Sequence, residues 1–281
     1  MEYSQPEDFL AGRDQVFSLP AVFYQLQSAM ADPDKSFSDF GEIISHDPGL
    51  SARLLKVVNS SFFALTSKVD TVSHALTIIG LDQMVNLTMA TAVIYQFRGI
   101  PNTLFNMESF WRHSIATGMA ARTIGMVRDD GNVERLYLAG VLHDLGRLII
   151  YMKEPGLARE TLTESKETQS NLSQIEERKM GFDHAAVGGA LLRHWEIPER
   201  LVNAVAYHHD PESAPKFNEE AAIIHTADYI VHDMSLAQTE EFSIPRLQKN
   251  TWDRIGVDPK KLAPKITQMS EQFDEAVRMF L

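Results

Sequence analysis

The stretch Gly140-Val141-Leu142-His143-Asp144-Leu145-Gly146-Arg147 decides how the chain is read. It lies within residues 136–150, where Leu136, Tyr137, Leu138, Ala139, Val141, Leu142, Leu145, Leu148, Ile149 and Ile150 leave no solvent face. A segment apolar all round predicts a buried, central helix. Yet His143, Asp144 and Arg147 place an imidazole, a carboxylate and a guanidinium in it. A buried charge is costly unless it is paired or bound to a metal. Two arrangements meet that cost. In one, Asp144 and Arg147 pair across a three-residue spacing, and His143 bonds a backbone carbonyl. In the other, His143 and Asp144 are metal ligands on a rigid helix. Helix neighbours diverge by about a third of a turn, so other helices must then supply the remaining ligands.

The composition bounds what those ligands can do. With 281 residues and 44% hydrophobic content, the chain can bury a substantial core as one large domain or two small ones. A formal charge of −12 opposes non-specific binding to nucleic acid or to an anionic membrane. The absence of cysteine removes disulfides, thiolate metal sites and thiol nucleophiles. No signal segment opens the chain and no apolar run approaches a membrane span, so a soluble, cytoplasmic protein is expected.

Outward from the central stretch, the text reads as helix after helix. Residues 1–18 read as a loose lead-in. Phe37 begins an apolar stripe at helical spacing that ends near His46. Asp47-Pro48 is a helix start, an Asp cap followed by Pro at the first helical position; Leu50, Leu54, Leu55 and Val58 form the buried stripe. Gly80 stops the next helix and Asp82 is expected to cap the one after. His46 and His74 are isolated and are expected at the surface or at caps. Residues 108–127 form a helix whose apolar side holds His113, and Asn132 caps the central helix. Residues 155–168 read as a charged, exposed helix.

Further on, Ser173-Gln174-Ile175-Glu176 matches a capping box. Asp183 caps a helix with His184 in its first turn. Gly188-Gly189 in that helix implies close approach of another backbone, since each costs roughly 1 kcal/mol relative to Ala. A helix from Pro198 carries His208-His209 at its C-terminal end, at the edge of the buried stripe, where they could instead serve the helix dipole. Asp228 lies on the apolar face of residues 219–232 with His225 and His232, which are possible local partners. The last forty residues read as further helix without evident chemistry.

Inward-facing His113, His143, Asp144, His184, His208, His209 and Asp228 thus fall on five helices. The order His … His-Asp … Asp resembles the HD superfamily of metal-dependent phosphohydrolases, and His184 with His208-His209 resembles the second-metal ligands of its HD-GYP branch. The best overall resemblance is to the HDOD family, a signalling branch of that superfamily. It is carried by Leu19-Pro20, Asp47-Pro48-Gly49-Leu50, Leu54-Leu55, Asn59-Ser60, Ile79-Gly80, Phe110-Trp111-Arg112-His113, the central stretch, Gly181-Phe182-Asp183-His184 and Tyr207-His208-His209. It covers roughly residues 15–235.

The resemblance implies an all-α, multi-helix bundle of HD type: an N-terminal helical part (1–105), an HD-like part with the ligand set (106–235) and a helical extension (236–281). It implies a role in signal transduction with a signalling-protein partner. Many HDOD proteins lack metal ligands, whereas here every position of the basic HD set is filled. Two features depart from the HD-GYP pattern and argue against cyclic-di-GMP hydrolysis. Asp210-Pro211-Glu212-Ser213-Ala214-Pro215 replaces a Gly-Tyr-Pro signature, and Ser109 stands where a Glu could join a third metal.

Two readings follow: a regulatory module with an HD-like metal site, and a phosphohydrolase acting on a phosphoester or nucleotide. In the second, one or two divalent ions would sit among His113, His143, Asp144 and Asp228, with Asp144 bridging. His184, His208 and His209 would hold the second ion, and Arg147 would contact substrate phosphate. Imidazole with carboxylate suits iron, manganese, nickel or zinc.

Overall fold

The computed structural model describes residues 3–10, 19–100, 106–237, 247 and 250–281. These are helical, with no strand among them. In chain order the helices are α1 (Ala21–Ala31), α2 (Phe37–Ser45), α3 (Pro48–Val58), α4 (Val72–Ile79), α5 (Leu81–Phe97), α6 (Met107–Arg128) and α7 (Val133–Leu142). There follow α8 (Leu145–Lys153), α9 (Pro155–Thr168), α10 (Leu172–Met180), α11 (His184–His194), α12 (Glu199–Ala206), α13 (Asn218–Asp233), α14 (Thr251–Ile255) and α15 (Pro259–Phe280).

Side-chain caps explain seven of the fifteen helix starts. Asp47 accepts from Leu50 N ahead of Pro48, Asn132 accepts from Arg135 N, and Asp183 accepts from Ala186 N. Asp82 is not a cap. Gly80, at φ +88°, closes α4 and opens α5 by itself, so Asp82 falls in the first turn. Ser36 and Asp39 form a reciprocal box at α2, with Ser36 N and Oγ donating to Asp39 Oδ2 at 2.8 and 2.6 Å. The Ser36 hydroxyl and then its backbone N–H hold the Asp39 carboxyl down to about 2, from an ordinary 3.8. Its stabilising share is therefore present above pH ~3.8 and lost as the pH falls through ~2. Ser36→Ala is expected to cost roughly 1 kcal/mol at neutral pH, read by urea unfolding.

The central segment corrects the sequence reading. Residues 136–150 are not one helix: α7 ends at Leu142 and α8 begins at Leu145, with His143 and Asp144 in the turn between them. Asp144 has φ −95° and ψ 5°, outside the helical basin, and its carbonyl accepts from Arg147 N at 2.9 Å. His208 and His209 likewise lie beyond the end of α12, in the turn after Ala206.

α6 is the spine, packed against α7, α13 and α15. α8, α11, α12 and α13 pack in succession beside it. Two glycine contacts set how closely these helices approach. A Cβ at Gly140 would lie 2.6 Å from Gly118 Cα, so α6 and α7 touch backbone to backbone. A Cβ at Gly146 would lie 2.0 Å from the His184 carbonyl oxygen and 2.6 Å from Gly188 N, so α8 and α11 do the same. The close approach expected at Gly188-Gly189 is thus made by α8 at Gly146, and by α12, whose Ala206 Cβ would lie 2.6 Å from a Cβ at Gly189.

One apolar core runs from Phe9 to Phe280 across all three parts of the expected division. The boundary at 105 falls on residues 101–105, outside the described residues, as do residues 1–2 and 11–18 of the lead-in. Pro6–Phe9 is a 3₁₀ turn with Phe9 fully buried, and Tyr3 Oη donates to Glu154 Oε1 at 2.5 Å. His46 and His74 are exposed, as expected. No helix among the described residues is long and apolar enough to cross a membrane.

Candidate metal centre

The expected imidazoles converge, and the backbone presets several of them. His143 Nδ1 donates to Gly140 O at 2.7 Å, and His208 Nδ1 donates to Val205 O at 2.7 Å. His184 Nδ1 donates to Glu176 Oε2 at 2.6 Å. A carbonyl or carboxylate on Nδ1 fixes the proton there and leaves Nε2 as a lone-pair donor, the usual outer partner of a metal-bound imidazole. His225 Nδ1 donates to His208 O at 2.8 Å and so braces the turn. His113 differs, for its buried Nδ1 has no hydrogen-bond partner in the structure.

The free edges meet in two triads joined by Asp144. His113, His143 and Asp228 present ligand atoms within 4.8 Å of one another, and so do His184, His208 and His209. His113 Nε2 lies 3.0 Å from Asp228 Oδ1, and His143 Nε2 lies 3.9 Å from it. Asp144 Oδ1 stands between the triads, 3.5 Å from His143 Nε2 and 3.2 Å from His184 Nε2. His143, Asp144 and His208 form a third set within the same limit. His209 is half-buried, and the other six groups are at most 2% exposed.

The electrostatics call for positive charge. Asp144, Asp228 and Glu176 gather three buried acidic side chains here, faced by the Arg147 guanidinium and by the His184 imidazole. Burial pushes His143 down against the pull of Asp144 and Asp228. Burial, then His143 and His184, push His208 down to about 3; burial, His208 and His184 push His209 well below 6.5. These downward shifts favour the neutral ring that metal ligation requires. Burial alone would raise both carboxyls. His143, Arg147 and His184 instead hold Asp144 well below the usual range, and His232 and His113 do so for Asp228. For His184, burial is outweighed by Glu176 and Asp144, which raise it well above 6.5. Its Nε2 lies 2.9 Å from His209 Nε2. Two ring nitrogens that close need a proton between them or a cation beside them. His208 Nε2, buried and without a hydrogen-bond partner, is a further donor atom suited to a cation.

Arg147 lies beside Asp144. Its guanidinium is buried, donating from Nη1 to Asp144 Oδ2 at 2.9 Å and from Nε and Nη2 to Tyr151 Oη at 3.2 Å. It steadies Asp144 and leaves Oδ1 to face the imidazoles. The first arrangement drawn from the sequence is therefore present in both its parts, the Asp144–Arg147 pair and the His143–carbonyl bond, and these contacts orient the cluster. The local partner expected for Asp228 is present too, with His232 Nε2 at 3.4 Å from Oδ1.

Glu176 is the residue that the sequence reading misplaced. The Ser-x-x-Glu spacing suggested a capping box, but α10 begins at Leu172 with Asn171 as its cap residue. Glu176 is instead fully buried against His184, accepting from both Nδ1 and the backbone N, the latter at 2.9 Å. An acidic residue flanked by Ile175 and preceding a His-bearing helix was the available signal. Glu176→Gln is expected to weaken cation binding at His184 by about 10- to 100-fold, read by competition with a chelator.

Comparison with known proteins identifies the family and the fold. The HDOD domain model matches residues 16–211. An uncharacterized protein of Treponema pallidum (strain Nichols) is 28% identical over 207 residues, 72% of this chain; the chain spans only 39% of that relative's length. Among solved structures, an HDOD domain protein of unknown function from Geobacter sulfurreducens superposes with a TM-score of 0.79 at 23% identity, covering 96% of each chain. A protein of Shewanella amazonensis SB2B, provisionally named a phosphohydrolase, gives 0.77 at 23% identity over 97% of this chain and 98% of its own. At such identities the likeness is one of fold. The family match spans well over half of the sequence, and the chain belongs to the HDOD family.

Proposed function

We propose that the protein is an HDOD-type regulatory module of signal transduction, working in the cytoplasm, that holds one or two divalent transition-metal ions. His113, His143, Asp144 and Asp228 would serve one ion; His184, His208 and His209, sharing Asp144, would serve the other. The observation that carries this reading is the set of Nδ1 bonds to Gly140 O, Val205 O and Glu176, which turn three Nε2 atoms toward the Asp144 carboxylate. Iron, manganese, nickel and zinc all suit such donors. Elemental analysis of protein purified without added metal tests it; a metal content near zero that added Mn(II) or Zn(II) does not raise would refute it.

A second reading, phosphohydrolysis, is favoured by the completeness of the donor set and by the name of the Shewanella amazonensis relative. A divalent cation there supplies Lewis acidity toward a phosphoryl oxygen and acidifies water. The chain's part is to orient: Arg147 fixes Asp144, and Glu176 fixes His184. Arg147, committed to Asp144 and Tyr151, offers a phosphate little, and this favours the regulatory reading. Turnover of bis(p-nitrophenyl) phosphate by metal-loaded protein, lost in His143→Ala, would promote the enzyme; no turnover at full loading favours the module.

A further inference from the structure

His209, the member of the second triad that is not fully buried, forms part of the wall of a cleft of about 850 Å³, together with His225. That volume is in the range of small-molecule sites. Gln169, Asn171 and Gln174 line it with carboxamides, and Ser170 and Ser173 add hydroxyls. Glu177, Asp183 and Asp210 add three carboxylates, and none of the lining residues is Lys or Arg. The guanidinium of the metal centre, Arg147, is buried behind Asp144 and bonded to it. Such a wall offers a chain of phosphates no Lys or Arg to balance its charge, and its carboxylates repel one within a Debye length. Carboxylates and carboxamides together match hydroxyl groups, which donate to the first and exchange hydrogen bonds in both senses with the second.

We propose that this cleft takes the uncharged, hydroxyl-rich body of a small ligand bearing at most one phosphoryl group, and excludes nucleoside di- and triphosphates. The proposal rests on the cation reading of His184, His208 and His209, which gives that one oxyanion its partner. The selection of the ligand's body comes from the cleft wall itself. It narrows the ligand from phosphoesters in general to monophosphorylated polyols and sugars.

The test is calorimetric titration of the full chain loaded with Mn(II), using ribose 5-phosphate, ADP and spermidine as probes. Ribose 5-phosphate is expected to bind at least about tenfold more tightly than ADP, a difference of about 1.4 kcal/mol. Glu177→Lys, at an exposed helical position, is expected to tighten ADP by about two- to fivefold, the usual worth of one exposed ion pair. ADP or spermidine binding as tightly as ribose 5-phosphate overturns the proposal, as does no detectable binding of ribose 5-phosphate to protein that has taken up Mn(II). The metal content of the titrated sample separates the two readings. Mn(II) bound with ADP preferred sinks the cleft assignment alone. No Mn(II) taken up, with ribose contacting the protein and ADP not doing so in ligand-observed NMR, sinks the cation reading and leaves the cleft assignment standing.

Discussion

Asp144→Asn protein is expected to fold and to lose cation affinity by more than about a hundredfold, beyond the 10- to 100-fold typical of an outer-sphere change. Asp144 Oδ1 lies within 3.5 Å of both His143 Nε2 and His184 Nε2, so the one substitution strikes both triads. Asn keeps the volume and can still accept from Arg147 through its carbonyl oxygen. Alanine would be a poorer choice, because it strands the buried guanidinium at a cost of roughly 3–5 kcal/mol. Metal content by elemental analysis and unfolding in urea separate the two effects. Full metal content in a folded Asp144→Asn protein would refute the shared role of Asp144.

The same residue shows where the sequence was legible and where it was not. Convergence of His113, His143, Asp144, His184, His208, His209 and Asp228 followed from one rule, that ionisable groups on apolar faces must find partners. The means of convergence did not follow. On a continuous helix His143 and Asp144 would point about 100° apart, and the uninterrupted apolar run from Leu136 to Ile150 gives no sign of a stop. The turn between α7 and α8 resolves this by bringing both side chains to one centre. Tertiary packing makes the turn: Gly140 lets α7 lie on α6, and Gly146 lets α8 lie on α11. A burial pattern reports that a residue is inside and is silent about backbone direction.

Glu176 failed for a related reason. Local spacing fitted a cap, whereas the partner that fixes its role, His184, lies eight residues on and across a turn. The pairing of Arg147 with Asp144 was legible from its three-residue spacing, whereas its contact with Tyr151 shows only in the geometry. Caps such as Asp47, Asn132 and Asp183 were legible because their partners lie within three residues. Legibility declined with the sequence distance over which a side chain's partner must be found.

Gly146→Ala is expected to be the most disruptive single-methyl change in the protein. The added Cβ would sit 2.0 Å from His184 O, 2.6 Å from Gly188 N and 3.0 Å from His184 C. All three are backbone atoms, so no rotamer change relieves the contact and α8 must separate from α11. Overpacking typically costs 1–3 kcal/mol; a clash with rigid backbone belongs at or above the upper end, about 3 kcal/mol. The separation also draws His184 from its 3.2 Å approach to Asp144, so cation affinity falls along with stability. Gly156→Ala, in the first turn of α9 with open space around its Cβ, is the matched control. It is expected to be neutral or stabilising by roughly 0.5–1 kcal/mol. Urea unfolding and metal content, measured on both variants, decide the matter. If Gly146→Ala equals the parent protein in both, the backbone contact between α8 and α11 does not position the site. A variant that is destabilised yet binds cations as before would instead confine the role of Gly146 to folding.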